Sequence, residues 1–373
     1  MINKALLMGA SGKGNYGDEL LAWTTVNLLK SVNPDIEGIV LSYNPIISGD
    51  FFLHEHFEYA SYYHYFPSLK YPRSFLFFRS IKKFKEYDVA IFPGGGFLYD
   101  YSLSALLSWY RRFLALNKIK VPIVLLGVGI GPLRTSMSRF LAGKILNLCK
   151  LVIVRDKMSY DVSKAVSPHS PGIQLGADLN IFFSRFAEFA VEKKSKSKRC
   201  VVMPRVWPYQ YTRKYVDSTV QSFAKLISIA RDYFSLDSVE FVPMHRFDDA
   251  ALCQKISSKI FVNNAVYKIR NFKDLLSPLS MTNMVIAMRY HGLLLSLLAH
   301  KPMVAIAYDE KITSLMNEFN RKENTISWDD FNNLNEEAII KCFETVRKDK
   351  LKDVPDLIAE KQNRMMAHVK ELF

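Results

Sequence analysis

The stretch VIAMRYHG at residues 285–292 is followed directly by LLLSLLAH at residues 293–300. The pattern predicts a short buried strand, a tight turn that carries arginine and histidine, and then an apolar helix. A helix that begins after such a turn presents unpaired backbone N–H groups and the positive end of its dipole. With Arg289 and His291 at this place, the turn suits a phosphate or a carboxylate. A glycine-bearing turn with solvated side chains fits the same residues, so the rest of the chain must decide.

The size and charge of the chain limit the classes of function. Its 373 residues are long for one core and fit two domains, and a hydrophobic content of 49% allows both to bury a sizeable interior. The formal charge of +14 favours anionic partners: nucleic acid, acidic lipid surfaces, or phosphorylated and carboxylated small molecules. Because the basic residues are spread along the chain and no recognition module is visible, we expect no nucleic-acid partner.

The cysteines and the apolar runs indicate the compartment. Cys149, Cys200, Cys253 and Cys342 lie far apart without a CxxC pair, so we expect neither a metal site nor a disulfide framework. Reduced thiols in a cytoplasmic protein are the simplest interpretation. The first apolar run is too short for a signal peptide, and no run approaches the roughly 18 apolar residues of a transmembrane helix.

The first half of the chain alternates between strands and helices. A strand at residues 4–9 leads into the glycine-rich stretch GASGKGNYGDE at 9–19, and a helix follows to about residue 31. The glycines match a dinucleotide fingerprint only loosely, and the residue after Lys13 excludes a Walker loop. A later strand at 88–93 ends in three glycines. This succession predicts a Rossmann-like sheet with its site along the carboxyl ends of the strands.

One segment of the first half does not follow this pattern. Phe, Tyr and His crowd together at residues 51–78, and basic residues follow at 79–85. The segment is interpreted as an aromatic insertion packed against the domain. An acceptor-binding surface or a peripheral contact with an anionic membrane is the alternative.

The strand–helix pattern restarts after a charged run at 193–199, which is interpreted as a linker. We therefore expect an α/β fold of two Rossmann-like domains that face each other across a cleft. The N-terminal domain takes residues 1–190 and the C-terminal domain residues 200–330. A helical tail, 331–373, is expected to pack back on the first domain.

Basic residues follow three strands of the second domain: Arg205, His245 with Arg246, and Arg289 with His291. Parallel strands deliver their carboxyl ends to one edge of a sheet, so these groups are expected to converge. Two arginines clamp a phosphate and a carboxylate, and a histidine donates a proton near neutral pH. Taken singly, each arginine fits a surface salt bridge equally well. Acids able to activate a hydroxyl, such as Asp18 and Glu19, lie in the first domain.

Six motifs occur in a fixed order: Gly14–Glu19, Gly94–Gly96, Gly129–Pro132, Arg155-Asp156 with Ser159, Gly176–Asp178, and Arg289–Gly292. Together they resemble the polysaccharide pyruvyl transferase family over about residues 8–312. The resemblance implies a glycosyltransferase-B-like pair of domains and phosphoenolpyruvate as donor co-substrate, with no further cofactor and no metal. It also implies a product in which a pyruvate ketal bridges two hydroxyls of a sugar, in capsule, exopolysaccharide or another cell-surface glycan.

The resemblance also suggests the site residues. Arg205, Arg289 and His291 would be catalytic and bind the donor together with the Tyr290 backbone, and the strand-end pattern adds Gly292 and His245. The acceptor, a lipid-linked or nucleotide-linked saccharide, is assigned to a set in the first domain: Asn15, Tyr16, Gly17, Asp18, Glu19, Gly95 and Gly96.

Two other functions remain open at the level of sequence. A nucleotide-sugar glycosyltransferase or epimerase would share the fold but would need a base and ribose pocket, for which only Asp309 and Glu310 follow His291. A glycan-binding or scaffold protein without turnover would not need to keep both Arg289 and His291.

Overall fold

The computed structural model describes residues 2–52, 56–65, 81–100, 102–168, 170, 172–187, 197–206 and 213–373. Much of the aromatic segment 51–78 and most of the linker 193–199 lie outside these residues. The chain divides into two compact units. The first comprises Met1–Lys13, Asp18–Phe186 and Ala359–Phe373, and the second comprises Gly14–Gly17 and Ala187–Ile358.

The first unit is built on a parallel sheet. Its strands are β1 Lys4–Met8, β2 Glu37–Ser42, β3 Phe57–Ser61, β4 Val89–Pro93, β5 Gly96–Leu98, β6 Ile123–Ile130, β7 Leu151–Val154 and β8 Ile173–Leu175. The order is β3-β2-β1-β4-β6-β7-β8, and β5 pairs with β6. All eight residues of β6 are buried, as expected for a strand covered by helices on both faces. The order reverses between β1 and β4, where Rossmann-like sheets bind ligands.

Helices cover this sheet. They are Tyr16–Val32, Pro45–Phe51, Tyr62–Tyr65, Leu103–Lys118, Ser136–Leu146, Lys157–Val166 and Phe183–Phe186, with 3-10 turns at Lys83–Glu86 and Leu179–Phe182. Ser102, Thr135 and Asp156 each cap a helix by accepting a backbone N–H with the side chain.

The second unit repeats the same design. Its strands are β9 Arg199–Met203, β10 Ser238–Phe241, β11 Asn263–Val266, β12 Met284–Ala287, β13 Met303–Ala307 and β14 Thr325–Ser327. All pair in parallel in the order β11-β10-β9-β12-β13-β14. Numbered within the unit, this is the 3-2-1-4-5-6 order of a dinucleotide-binding sheet, which reverses between β9 and β12.

The helices assigned to the second half of the chain are Arg213–Phe234, Asp248–Ser257, Phe272–Met281, Tyr290–Leu298, Glu310–Glu318, Trp328–Asn332, Glu336–Lys348 and Val354–Lys370, with a 3-10 turn at Lys322–Asn324. The expected tail 331–373 is divided. Residues up to Ile358 belong to the second unit, and Ala359–Phe373 belong to the first.

The strand, turn and buried helix predicted from residues 285–300 are confirmed. All nine residues of the helix Tyr290–Leu298 are buried, because its sequence is apolar on every side. Ser296, in the middle of this helix, donates a 2.8 Å hydrogen bond to the carbonyl of Gly292. Gly292 also lets the helix approach β9, since a Cβ there would lie 2.6 Å from Sδ of Met203. None of the helices in the described part of the chain is long and apolar enough to span a bilayer.

Candidate functional site

Arg289 is held in one orientation by a buried carboxylate. It follows β12 and occupies the position before the helix Tyr290–Leu298. Its Nε lies 2.7 Å from Oδ2 of Asp249, and its Nη2 lies 2.7 Å from Oδ1. The Asp249 side chain is fully buried, and that of Arg289 is 11% exposed. This fork-on-carboxylate pairing fixes the plane of the guanidinium at the carboxyl edge of the sheet.

Asp249 also connects two strand ends. Its Oδ1 accepts a 3.3 Å hydrogen bond from the backbone N–H of Val206, the residue after Arg205. Because Arg205 follows β9 and Arg289 follows β12, this carboxylate ties together the two strands that flank the reversal point. Sequence reasoning missed Asp249. Its signal is weak, since two acids in the first turn of a helix ordinarily complement the helix dipole.

Arg205 lies against the end of a third strand. Its Nη1 donates to the hydroxyl of Tyr308, and its Cζ lies 4.9 Å from the centre of that ring. Lys311 adds a second cation, with Nζ 5.4 Å from the same ring and 3.5 Å from Oδ2 of Asp309. Sequence reasoning did not name Tyr308 or Lys311 as candidates, although Tyr308 follows β13 directly and Lys311 lies three residues further on.

His291 lies in the first turn of the helix Tyr290–Leu298 and is 8% exposed. The ring of Tyr290 packs edge-on against it, with 5.3 Å between the centroids. A Cβ added to Gly17 would lie 1.9 Å from Nδ1 of His291. Only a glycine therefore allows the chain to pass so close to the imidazole.

The segment Gly14–Gly17 belongs to the second unit through backbone contacts. The N–H of Tyr16 donates to the carbonyl of Met244 at 3.0 Å, and the N–H of Arg246 donates to the carbonyl of Gly14 at 2.7 Å. Asn15 forms an antiparallel bridge with His245. The expected acceptor set is thus divided, because Asn15, Tyr16 and Gly17 lie beside the donor residues.

His245 contacts the first residue of the helix Asp248–Ser257. Its Nδ1 accepts the backbone N–H of Asp248 at 3.2 Å. An accepting Nδ1 places the proton of a neutral ring on Nε2. His245 is therefore oriented by its own loop, at the point where the segment Gly14–Gly17 pairs with it.

The remaining acceptor candidates lie in the first unit. A Cβ on Gly95 would lie 3.4 Å from Oδ1 of Asp18, so these two residues are neighbours. The hydroxyl of Tyr99 fills the space beside Gly96. Asp18 is partly exposed.

Glu19 lies in the interior, with 1% of its surface exposed. Its Oε1 accepts the backbone N–H of Gly12 at 2.5 Å and so fastens the glycine-rich loop. Burial raises the pKa of Glu19 to about 7, against the opposing effect of hydrogen bonds from Gly12 and Ser48. Over the residues that the structure describes, no group of three His, Cys, Asp or Glu side chains is placed to hold a metal ion.

Replacing Gly17 by alanine should lower the melting temperature, because the new methyl group must displace the buried imidazole of His291. Overpacking of this kind costs about 1–3 kcal/mol. Gly49, also helical, is the matched control: a Cβ there meets nothing within 4 Å, so Gly49→Ala should raise stability by about 0.4–1 kcal/mol. Thermal unfolding of both variants tests this, and equal shifts would contradict the contact.

The pKa of Glu19 makes stability depend on pH. The folded protein keeps a proton that the unfolded chain releases between the ordinary value of 4.5 and about 7. The contribution to unfolding free energy is therefore complete below pH 4.5 and declines by up to about 3 kcal/mol as the pH rises to 7. The amide side chain of the Glu19→Gln variant cannot ionise. The melting temperature of this variant, relative to that of the wild type, should therefore rise as the pH increases from 4.5 to about 7. The melting temperature of an exposed control, Glu37→Gln, should depend on pH as that of the wild type does. If the melting temperature of Glu19→Gln showed the same pH dependence as both, the raised pKa of Glu19 would be refuted.

Solved structures confirm the fold class. The Anabaena protein HepE, solved with UDP and glucose, is 13% identical over 100% of this chain and 98% of its own, with a TM-score of 0.57. The UDP-GlcNAc 2-epimerase of Methanocaldococcus jannaschii is 11% identical over 94% of each chain, with a TM-score of 0.61. A UDP-forming α,α-trehalose-phosphate synthase of Burkholderia vietnamiensis is 12% identical over 100% and 96%, with a TM-score of 0.55. At such identities the likeness shows the glycosyltransferase-B-like fold alone.

Sequence comparison identifies the family. Among curated proteins, no relative matches the chain significantly. The sequence model of the family described as polysaccharide pyruvyl transferase matches residues 15–310, which include both the segment Gly14–Gly17 almost entirely and the turn at Arg289. This match spans well over half of the chain, and the chain therefore belongs to the polysaccharide pyruvyl transferase family.

Proposed function

We propose that this protein transfers the pyruvate unit of phosphoenolpyruvate onto two hydroxyls of a glycan sugar and releases phosphate. The observation that carries the proposal is the arginine fixed by Asp249 at the start of the helix that bears His291. A rigid guanidinium, a helix N-terminus and a histidine suit a small donor that carries both a phosphate and a carboxylate. Family membership supports the same reaction.

In the proposed mechanism, Arg205 and Arg289 bind the phosphate and the carboxylate of the donor. The first N–H groups of the helix Tyr290–Leu298 add their dipole. The buried Asp249 pairs with the Arg289 guanidinium and keeps it in place. No resident cofactor or metal takes part in this scheme.

The chemistry needs one proton on carbon and one on phosphate. His291, as general acid, protonates the methylene carbon, and a sugar hydroxyl adds to C2 and gives its proton to a base, from which a proton returns to His291 through solvent. The C2–O bond to phosphate then breaks, and a neighbouring hydroxyl closes the ketal. The proton of this second hydroxyl leaves with the phosphate, so the reaction is balanced without an oxidant or reductant.

The acceptor is proposed to be a lipid-linked or nucleotide-linked saccharide of capsule, exopolysaccharide or cell-surface glycan synthesis in the cytoplasm. Of the two acids considered for its hydroxyl, Glu19 is buried and half protonated near pH 7. Asp18 is partly exposed beside Gly95 and is the better candidate for the base. A lipid-linked acceptor would bring the protein to the inner face of the membrane, which its charge of +14 favours.

A nucleotide-sugar donor is the alternative, because structures of this fold have been solved with UDP. Such a donor usually needs an acid for the ribose. Asp309 already caps the helix Glu310–Glu318 by accepting the N–H of Lys311 at 3.1 Å, and it pairs with the Lys311 ammonium. This engagement disfavours Asp309 as a ribose ligand.

Phosphoenolpyruvate should raise the melting temperature of the wild type, whereas UDP- and GDP-sugars should not. A ligand at about 100 times its Kd adds about 2.7 kcal/mol to the folded state. Arg289→Ala should lose this shift. Arg270→Ala is the matched control, because that arginine is 73% exposed and pairs with Asp274 in the same unit. If a nucleotide-sugar stabilised the protein and phosphoenolpyruvate did not, the protein would be a nucleotide-sugar glycosyltransferase and not a pyruvyl transferase in its activity.

His291→Ala should lower turnover by about 10²–10⁴, because a general acid acts in the transition state. The shift in melting temperature with phosphoenolpyruvate should be nearly retained. Phosphate release with an acceptor measures the first effect, with the exposed His64→Ala as control. Undiminished turnover would remove His291 as the acid.

A further inference from the structure

The net positive charge of this chain is highest in one segment, because that segment contains no acidic residues. Residues 101–155 contain nine lysine and arginine residues and no aspartate or glutamate. The basic residues are spread along the chain, but the acidic ones are not. The segment has a formal charge of +9, and all of it except residue 101 is described by the structure. Two of these charges pair with acids just outside the segment, Arg134 with Asp100 and the buried Arg155 with Asp156.

The same segment exposes large apolar side chains. The helices Leu103–Lys118 and Ser136–Leu146 pack against each other in the first unit. Leu103 is 48% exposed and Leu107 37% on one helix, and Met137 is 53% and Phe140 58% exposed on the other. In the described residues, half of the most exposed large apolar side chains lie on these two neighbouring helices.

Topology places these apolar side chains at one end of both helices. Each helix returns the chain from the carboxyl edge of the sheet, after β5 or β6, to the start of the next parallel strand. The two helices therefore run parallel, with their first turns at the carboxyl edge, where sheets of this type bind ligands. Leu103 and Met137 lie in these first turns. Arg111 and Lys144 follow in later turns and are exposed.

We propose that this apolar–basic face docks on an anionic phospholipid surface. It is defined by six side chains: Leu103, Leu107, Met137, Phe140, Arg111 and Lys144. Leucine, methionine and phenylalanine would enter the headgroup region, while the cations contact lipid phosphates. The Lys144 ammonium lies 5.4 Å from the centre of the Phe140 ring, so an exposed aromatic side chain and a cation are adjacent on this face.

Other occupants fit this face less well. A second copy of the chain would set the exposed cations of one face, Arg111 and Lys144, against the same cations of the other, and these like charges would repel. Nucleic acid would match the cations but leaves four exposed apolar side chains without a role. A lipid surface matches both features. It would also hold the carboxyl edge of the first unit close to a lipid-linked acceptor, although the docking itself does not depend on the identity of the donor.

Vesicle co-sedimentation of the full chain tests the proposal. The protein should bind vesicles with about one quarter phosphatidylglycerol, bind neutral phosphatidylcholine vesicles far less, and dissociate as salt rises. Arg111→Glu with Lys144→Glu should lower the partition coefficient at least about 30-fold, which corresponds to about 1 kcal/mol per basic residue. Met137→Ser with Phe140→Ser should weaken binding even at low salt.

Matched variants on the second unit separate this face from net charge. Lys255→Glu with Lys259→Glu makes the same change in charge, and Phe261→Ser removes a side chain that is 98% exposed. Both should bind vesicles almost as the wild type does. If the variants of the second unit lost as much vesicle binding as the variants of the apolar–basic face, net charge alone would explain the binding and the proposal would be overturned. Binding to a single-stranded oligonucleotide but not to vesicles would overturn it in favour of nucleic acid. Every variant should keep its thermal shift with phosphoenolpyruvate, so a failure here is distinct from a failure of the proposed reaction.

Discussion

The proposed donor site depends on one buried ion pair, between Asp249 and Arg289. A fully buried carboxylate is tolerated only with a partner and further hydrogen bonds, which the arginine fork and the N–H of Val206 supply. Removing one partner of such a pair typically costs about 3–5 kcal/mol, because the other charge is left buried. The pair thus links the geometry of the donor residues to the stability of the edge between β9 and β12.

The position of this pair follows from strand order. In both units the order of the parallel strands reverses once, between β1 and β4 and between β9 and β12. In the first unit the strand ends at this point carry glycines, which admit a ligand or a loop. In the second they carry arginines, which bind anions. The same fold therefore offers two chemically different edges, and the charge of the second is set by a few residues after its strands.

The sequence predicted the parts of this site that are local. A buried strand, an arginine–histidine turn and an apolar helix can be recognised within 16 residues, and the two-sheet fold follows from repeated strand–helix alternation. Asp249 was not predicted as a site residue because its partner Arg289 is 40 residues away in the sequence. Aspartate is also common in the first turn of helices for other reasons. Glu19 shows the opposite case. The sequence placed it among the acids able to activate a hydroxyl, but tertiary packing buries it, and its carboxylate accepts the N–H of Gly12. Neither the burial of Glu19 nor the contact between Asp249 and Arg289 leaves a periodicity in the chain.

The composition of the two units has a consequence for how the protein is made. Gly14–Gly17 leave the ribosome long before the strands of the second unit with which they pair, and Ala359–Phe373 complete the first unit only after the second unit has been synthesised. Neither unit can therefore finish folding as its own stretch emerges, unlike most domains of multidomain chains. The first unit of the nascent protein must stay incomplete until Ala359–Phe373 have been synthesised, and a chain truncated anywhere before Ala359 would leave this unit without its closing helix.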